Sequence, residues 1–76
     1  MDNRITTDPG ILAGKPCIRN TRLSVEFILE LIASGASAAQ IAEVYPQLTP
    51  DDVEAAVRYA ANSLRNDSLL ELKVLG

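Results

Sequence analysis

The sequence has no histidine and no tryptophan, and only one cysteine, one methionine and one phenylalanine among its 76 residues. Without histidine, the commonest general base near neutral pH is missing, and a nucleophile activated by imidazole cannot be assembled. Cys17 alone makes neither an internal disulfide nor a zinc site. No apolar run approaches the ~18 residues of a membrane span. Met1-Asp2-Asn3-Arg4 lacks the apolar stretch of a secretory signal. The expectation is a cytoplasmic protein with no membrane contact, no metal and no cofactor, and not an enzyme. Cations are scarce too: seven Lys and Arg stand against ten Asp and Glu, a formal net charge of −3. General nucleic-acid affinity rests on clustered Lys and Arg, so this balance argues against it.

What the chain does have is aliphatic: ten Ala, ten Leu, six Ile and five Val. That composition makes a folded domain, but a chain this short buries only a thin core. Added buried surface from a second copy is therefore expected, as a homodimer or higher homo-oligomer. The charge is uneven. Residues 1–23 hold Arg4, Lys15, Arg19 and Arg22 against only Asp2 and Asp8, whereas residues 24–76 hold three cations against eight carboxylates. A local basic patch on an acidic body follows.

Residues 1–76 read as a single domain in three parts: a β/turn element over 4–23, a three-helix core over 24–64 and a C-terminal tail over 65–76. In the first part Asp8-Pro9-Gly10 and Ala13-Gly14-Lys15-Pro16 are breaks. Cys17-Ile18 and Arg22-Leu23 flank Arg19-Asn20-Thr21, which predicts a tight hairpin or bulged loop. Asn20 is the residue best suited there to positive φ.

In the second part Ser24 can cap a helix whose Val25, Ile28, Leu29 and Ile32 recur at helical spacing, and Gly35 is its stop. Ser37 with Gln40 forms a capping box for a short helix, 37–45, ended by Pro46. Thr49 caps the third helix, 50–64, with Pro50 at its first position and Asp51-Asp52 at the positive end of its dipole. Val53, Ala56, Val57, Ala60 and Leu64 form its expected buried stripe; Ile28, Ile32, Ile41, Val53 and Val57 are the expected core. In the tail, Leu70, Leu72 and Val74 alternate in part, which predicts a short strand or a segment ordered by contact with something else. Leu69, Leu70, Leu72 and Val74 are the expected oligomer interface.

The fold class is therefore mainly α: a homeodomain-like or helix-turn-helix three-helix core with a small N-terminal β element and a short C-terminal strand. A recognition helix in that class meets base edges with its N-terminal residues. Here those are Pro50, Asp51, Asp52 and Glu54, whose carboxylates phosphates repel. The same three carboxylates are explained by capping and the dipole rather than by metal binding. The candidate binding residues are instead Lys15, Arg19, Asn20, Thr21 and Arg22, the densest cationic cluster. It suits a phosphate or an acidic protein surface. Gly14-Lys15-Pro16 lacks the frame of a phosphate-binding loop. Cys17, between Pro16 and Ile18, reads as core.

Ile5-Thr6-Thr7-Asp8-Pro9, then Gly14-Lys15-Pro16-Cys17-Ile18-Arg19-Asn20-Thr21-Arg22-Leu23, resembles the signature of a small bacterial and archaeal family. The signature is an Asp-Pro followed by Gly-Lys-Pro-x-Ile-x-Gly-Thr-Arg-Ile. Tyr45-Pro46-x-Leu48-Thr49-x-Asp51-Asp52-Val53 and Ala55-Ala56-Val57-Arg58-Tyr59-Ala60 agree with it. The family is the domain-of-unknown-function family four-three-three, and the resemblance spans about residues 4–64. One departure is Asn20, where the pattern has glycine. The resemblance implies a homeodomain-like core after a small β element. It also implies the antitoxin half of a toxin–antitoxin pair whose partner is a PIN-like nuclease with a metal-binding carboxylate cluster. Two functions stay open: an antitoxin that covers a PIN-like toxin through the basic turn, and a helix-turn-helix DNA-binding regulator acting on its own operator DNA.

Overall fold

The computed structural model describes residues 3–65. Strands β1 (Ile5–Thr6) and β2 (Cys17–Ile18) are followed by helices α1 (Val25–Ala33), α2 (Ala38–Val44) and α3 (Pro50–Arg65). The two strands pair antiparallel, with Ile5 opposite Ile18 and Thr6 opposite Cys17. The expected tail strand, with Leu69, Leu70, Leu72 and Val74, lies outside the described residues. No single helix among the described residues is long and apolar enough to cross a membrane.

Local chemistry sets each helix boundary. The Ser24 hydroxyl accepts from the Phe27 N–H at 3.0 Å and starts α1. Gly35, at φ +105°, ends it: the Gly35 N–H donates to Ile32 O and the Ala36 N–H to Leu31 O. This paired closure satisfies the last carbonyls and needs the left-handed conformation that glycine adopts without cost. Ser37 and Gln40 form the expected capping box, with the Gln40 N–H on Ser37 Oγ and the Ser37 N–H on Gln40 Oε1. Thr49 starts α3 in a second reciprocal box. The Asp52 N–H donates to Thr49 Oγ1 at 3.2 Å, and the Thr49 N–H to Asp52 Oδ2 at 2.9 Å. Each such cap is worth roughly 1 kcal/mol.

The connection between the strands is less regular than its sequence. Asp8 organises its start, its carboxylate accepting the Gly10 N–H and its carbonyl the Ile11 N–H. Leu12, Ala13 and Gly14 then all take positive φ, at 51°, 56° and 85°. Only the glycine is suited to that region; the other two cost roughly 1–2 kcal/mol each. The sequence marks a break here but gives no sign that it begins at Leu12.

The core is one cluster, filled from every element: Ile5 and Ile18 from the strands, Val25, Ile28 and Ile41 from the shorter helices, and Leu48 from the connection before α3. Val53, Ala55 and Ala56 of α3 complete it, and Cys17 is fully buried. Phe27 and Tyr45 close one side edge-to-face, with ring centroids 5.6 Å apart.

The buried stripe of α3 differs from the periodic one. Ala55 is fully buried, whereas Val57 is 41% and Leu64 52% exposed, and Ile32 is only half-buried. Because α3 packs on both strands as well as on α1 and α2, its inward face turns toward Val53, Ala55 and Ala56. Val57 is left at the edge, beside Ile32 and Ala38, and α3 runs past the core before it reaches Leu64. Ile28→Ala should therefore cost about 2–5 kcal/mol, with the cavity term included, and Val57→Ala less than about 1 kcal/mol. Urea denaturation midpoints of the two variants test this; equal costs would return Val57 to the core.

Candidate functional site

The loop after β2 is built around one residue with positive φ. The Thr21 N–H and hydroxyl both donate to Ile18 O, at 3.1 and 2.8 Å, and Thr21 Oγ1 accepts the Leu23 N–H. Asn20, at φ +65°, occupies the third turn position, which requires the left-handed region. The Ile18 N–H returns to Leu23 O, and Cys17 bridges Ser24, so the loop closes as a tight hairpin. Asn20 does the work of the family's glycine because its short polar side chain tolerates that conformation.

Arg19 stands on this turn but is partly used by the fold. Its backbone N–H donates to Arg4 O at 2.8 Å and its Nε to Asn3 O at 2.6 Å. Arg22 is exposed, and its guanidinium has no hydrogen-bond or ion-pair partner among the described residues. The backbone N–H groups of Asn20 and Arg22 likewise point at no acceptor among those residues. The donors that the turn leaves without partners among the described residues are therefore Arg22, the terminal nitrogens of Arg19 and two backbone amides.

Lys15 does not join them. It stands at the other end of β2, about 13 Å from Arg19 along an extended chain. Its Nζ pairs with Glu26 Oε1 of α1 at 3.2 Å, both groups being exposed. It lines an open groove of about 580 Å³ between α1 and α3, floored by Val25, Leu29, Ala33, Tyr59 and Ala60.

Arg4, absent from the sequence-derived candidates, has a larger part. Its guanidinium meets Asp52 Oδ1 at 2.8 Å and lies 3.9 Å from Asp51, tying β1 to the N-terminus of α3 across 48 positions of sequence. The Asp52 side chain is 13% exposed. Burial pushes its carboxyl up, but the Thr49 backbone N–H, the Arg4 guanidinium and the Thr49 side chain together hold it below the ordinary 3.8. No group of three or more metal-ligating side chains exists among the described residues. Through Asp52, the acidic start of α3 makes the Thr49 cap and the tie to Arg4.

A carboxylate whose folded-state pKa is depressed stabilises the fold above its unfolded value, and the contribution is lost as pH falls through the folded value. The Asp52 contribution should be complete above about pH 5 and be lost as pH falls through its folded value, which lies below 3.8. Asp52→Asn should lower the denaturation midpoint at pH 7 while flattening its fall between pH 5 and pH 2. An unchanged acid limb in the variant would show that Asp52 does not titrate with folding.

A small, mainly helical domain with a two-strand element and a rigid basic turn is the class these features define. Residues 5–60 match the family described as "Protein of unknown function (DUF433)", and the chain belongs to it. It is 37% identical over 62 residues to an uncharacterized protein, y4eO, of Sinorhizobium fredii (strain NBRC 101917 / NGR234), covering 80% of this chain and 28% of that one. Its fold is similar to the crystal structure of a DUF433 member protein from Anabaena variabilis ATCC 29413. That likeness has a TM-score of 0.76 and 32% identity, over 86% of this chain and 64% of the other. The chain thus spans about a quarter of its curated relative and under two thirds of the solved one.

Proposed function

We propose that this domain is a protein-interaction module of the antitoxin kind, whose basic turn docks on the carboxylate cluster of a PIN-like nuclease. The observation that carries this reading is Arg22: a guanidinium with no partner among the described residues, on a turn held by its own hydrogen bonds, whereas each of the other described cations has an interaction. The turn loses little conformational entropy on binding, because Thr21 and Asn20 already hold it. Paired guanidinium groups and backbone amides suit carboxylates, which they meet through charge-assisted bonds. Complementary potential across such an interface speeds association and rejects partners of the wrong sign.

One feature favours the DNA-binding alternative. The chain bends by 119° between α1 and α2 through a short connection containing Gly35, which is near the geometry of a helix-turn-helix pair. Neither helix that would then face DNA is equipped for it. α2, Ala38–Val44, carries no Lys or Arg, and the first turn of α3 presents Asp51 and Asp52. Operator binding, where it occurs, would come from the turn in a dimer and fall steeply with salt.

Arg22→Ala separates function from folding, because Arg22 holds nothing in place. Its stability should stay within about 0.5 kcal/mol of the parent. Its affinity for a PIN-like nuclease partner should fall by about 2–5 kcal/mol where Arg22 enters a desolvated pair. Titration calorimetry with the purified nuclease, together with inhibition of its cleavage activity, measures this. Unchanged binding and inhibition would overturn the antitoxin proposal. Loss of tight operator binding near physiological salt in the same variant would put the regulator in its place.

A further inference from the structure

The groove between α1 and α3 is an open, largely apolar concavity of about 580 Å³, and nothing in the turn-based function uses it. Its floor is Val25, Leu29, Ala33, Tyr59 and Ala60, and its mouth opens at Ser63, two positions before Arg65. We propose that residues 69–75 of the same chain fold back into this groove and cover it. The proposal goes beyond the turn's partner and is independent of it.

Three observations favour this occupant. First, the segment that follows α3 has the right order of chemistry. Asn66-Asp67-Ser68 are turn formers, and Leu69-Leu70-Glu71-Leu72-Lys73-Val74-Leu75 supplies an alternating apolar strip. Second, the reach is sufficient. Seven extended residues span about 23 Å, against about 11 Å of helix from Glu26 to Ala33.

Third, the charges run in matching order. The shallow hollow beside Val57 joins Ile32 and Ala36, at the end of α1, to Val53 and Arg58 of α3. The start of α1 lies with Tyr59, Ala60 and Ser63. The helices therefore run in opposite directions along the groove. A segment reversing after Arg65 travels from the Lys15 end of the rim toward Glu30. It meets Lys15 with Glu71 and Glu30 with Lys73, in that order. Glu71 and Lys73 are about 7 Å apart on an extended chain, and Glu26 and Glu30 about 6 Å apart on a helix. Glu30 has no side-chain partner among the described residues. A three-residue link also keeps the segment at high effective concentration beside the groove, ahead of a second copy.

The test uses the full chain. Replacing Leu70 and Leu72 together by Asp should shift the NMR signals of Leu29, Ala33 and Tyr59 and leave those of Ile41 and Leu48 in place. Ala33→Arg, at an exposed position of the groove, should lower the denaturation midpoint of the parent chain and have little effect in the Leu70/Leu72 variant. Glu30→Lys and Lys73→Glu should each lower the midpoint, and the two together should restore much of it. In the parent protein, nuclear Overhauser contacts should join the Tyr59 ring to Leu70 or Leu72 methyls. Groove signals unmoved in the Leu70/Leu72 variant would overturn the proposal. Tyr59–Leu contacts seen only between differently labelled copies would replace it with an exchange between two chains.

Discussion

Two adjacent alanines govern this fold. Ala55 and Ala56 are both fully buried at the middle of α3, where the helix meets the strands and the two shorter helices. Interiors pack close to crystal density, so a larger side chain at either position would force α3 away from one set of neighbours. The close approach puts the first turn of α3 beside Arg4 and draws its second half along α1. Both surfaces of interest depend on that placement. At one end, Asp52 grips Arg4, whose carbonyl receives the Arg19 N–H just before β1. At the other, Tyr59 and Ala60 form one wall of the apolar groove.

The same packing sorts the charges, and the net value of −3 conceals the result. Arg4 is committed to Asp52 and Asp51, and Lys15 leans on Glu26. The exposed Lys15–Glu26 pair contributes little stability. Asp52 is different: it is mostly buried and bonded to Thr49 and Arg4 together, so breaking that set removes a cap and a tertiary tie at once. Once these pairs are made, the unbalanced positive charge of the N-terminal part is concentrated on the Arg19–Arg22 turn. A cluster of three candidate cations in sequence becomes two in space because β2 is extended and its ends diverge.

Local signals in the sequence carried most of the architecture. Ser24, the Ser37–Gln40 box, Gly35, Pro46 and the Thr49-Pro50 start place all three helices to within a residue or two, because caps and breakers act over one helical turn. Asn20 was legible for the same reason, since a single residue's tolerance of positive φ decides the turn. What the sequence hid was tertiary. Nothing near Arg4 announces a partner 48 positions away, and Arg19 gives no hint that its Nε holds the Asn3 carbonyl. A 3.6-residue period placed Val57 and Leu64 inside, but the sheet against α3 rotates the buried arc toward Ala55. Left-handed backbone at Leu12 and Ala13 runs against the preference of both residues, so no propensity argument reaches it.

The turn and the groove lie at opposite ends of α3. From Asp52, which anchors the turn's support, to Ser63 at the groove mouth is about 16 Å along the helix. Sites so separated, with no shared side chain, respond to substitution almost independently. Lys15 illustrates the division: it is close to the turn in sequence, yet its ion pair and its position on the rim assign it to the groove. A covered groove would remove an apolar liability from a domain with a thin core. The turn would keep its amides and guanidinium groups in water. Such a domain can hold its own chain at one end of its longest helix while it offers a rigid, positively charged face to a partner at the other.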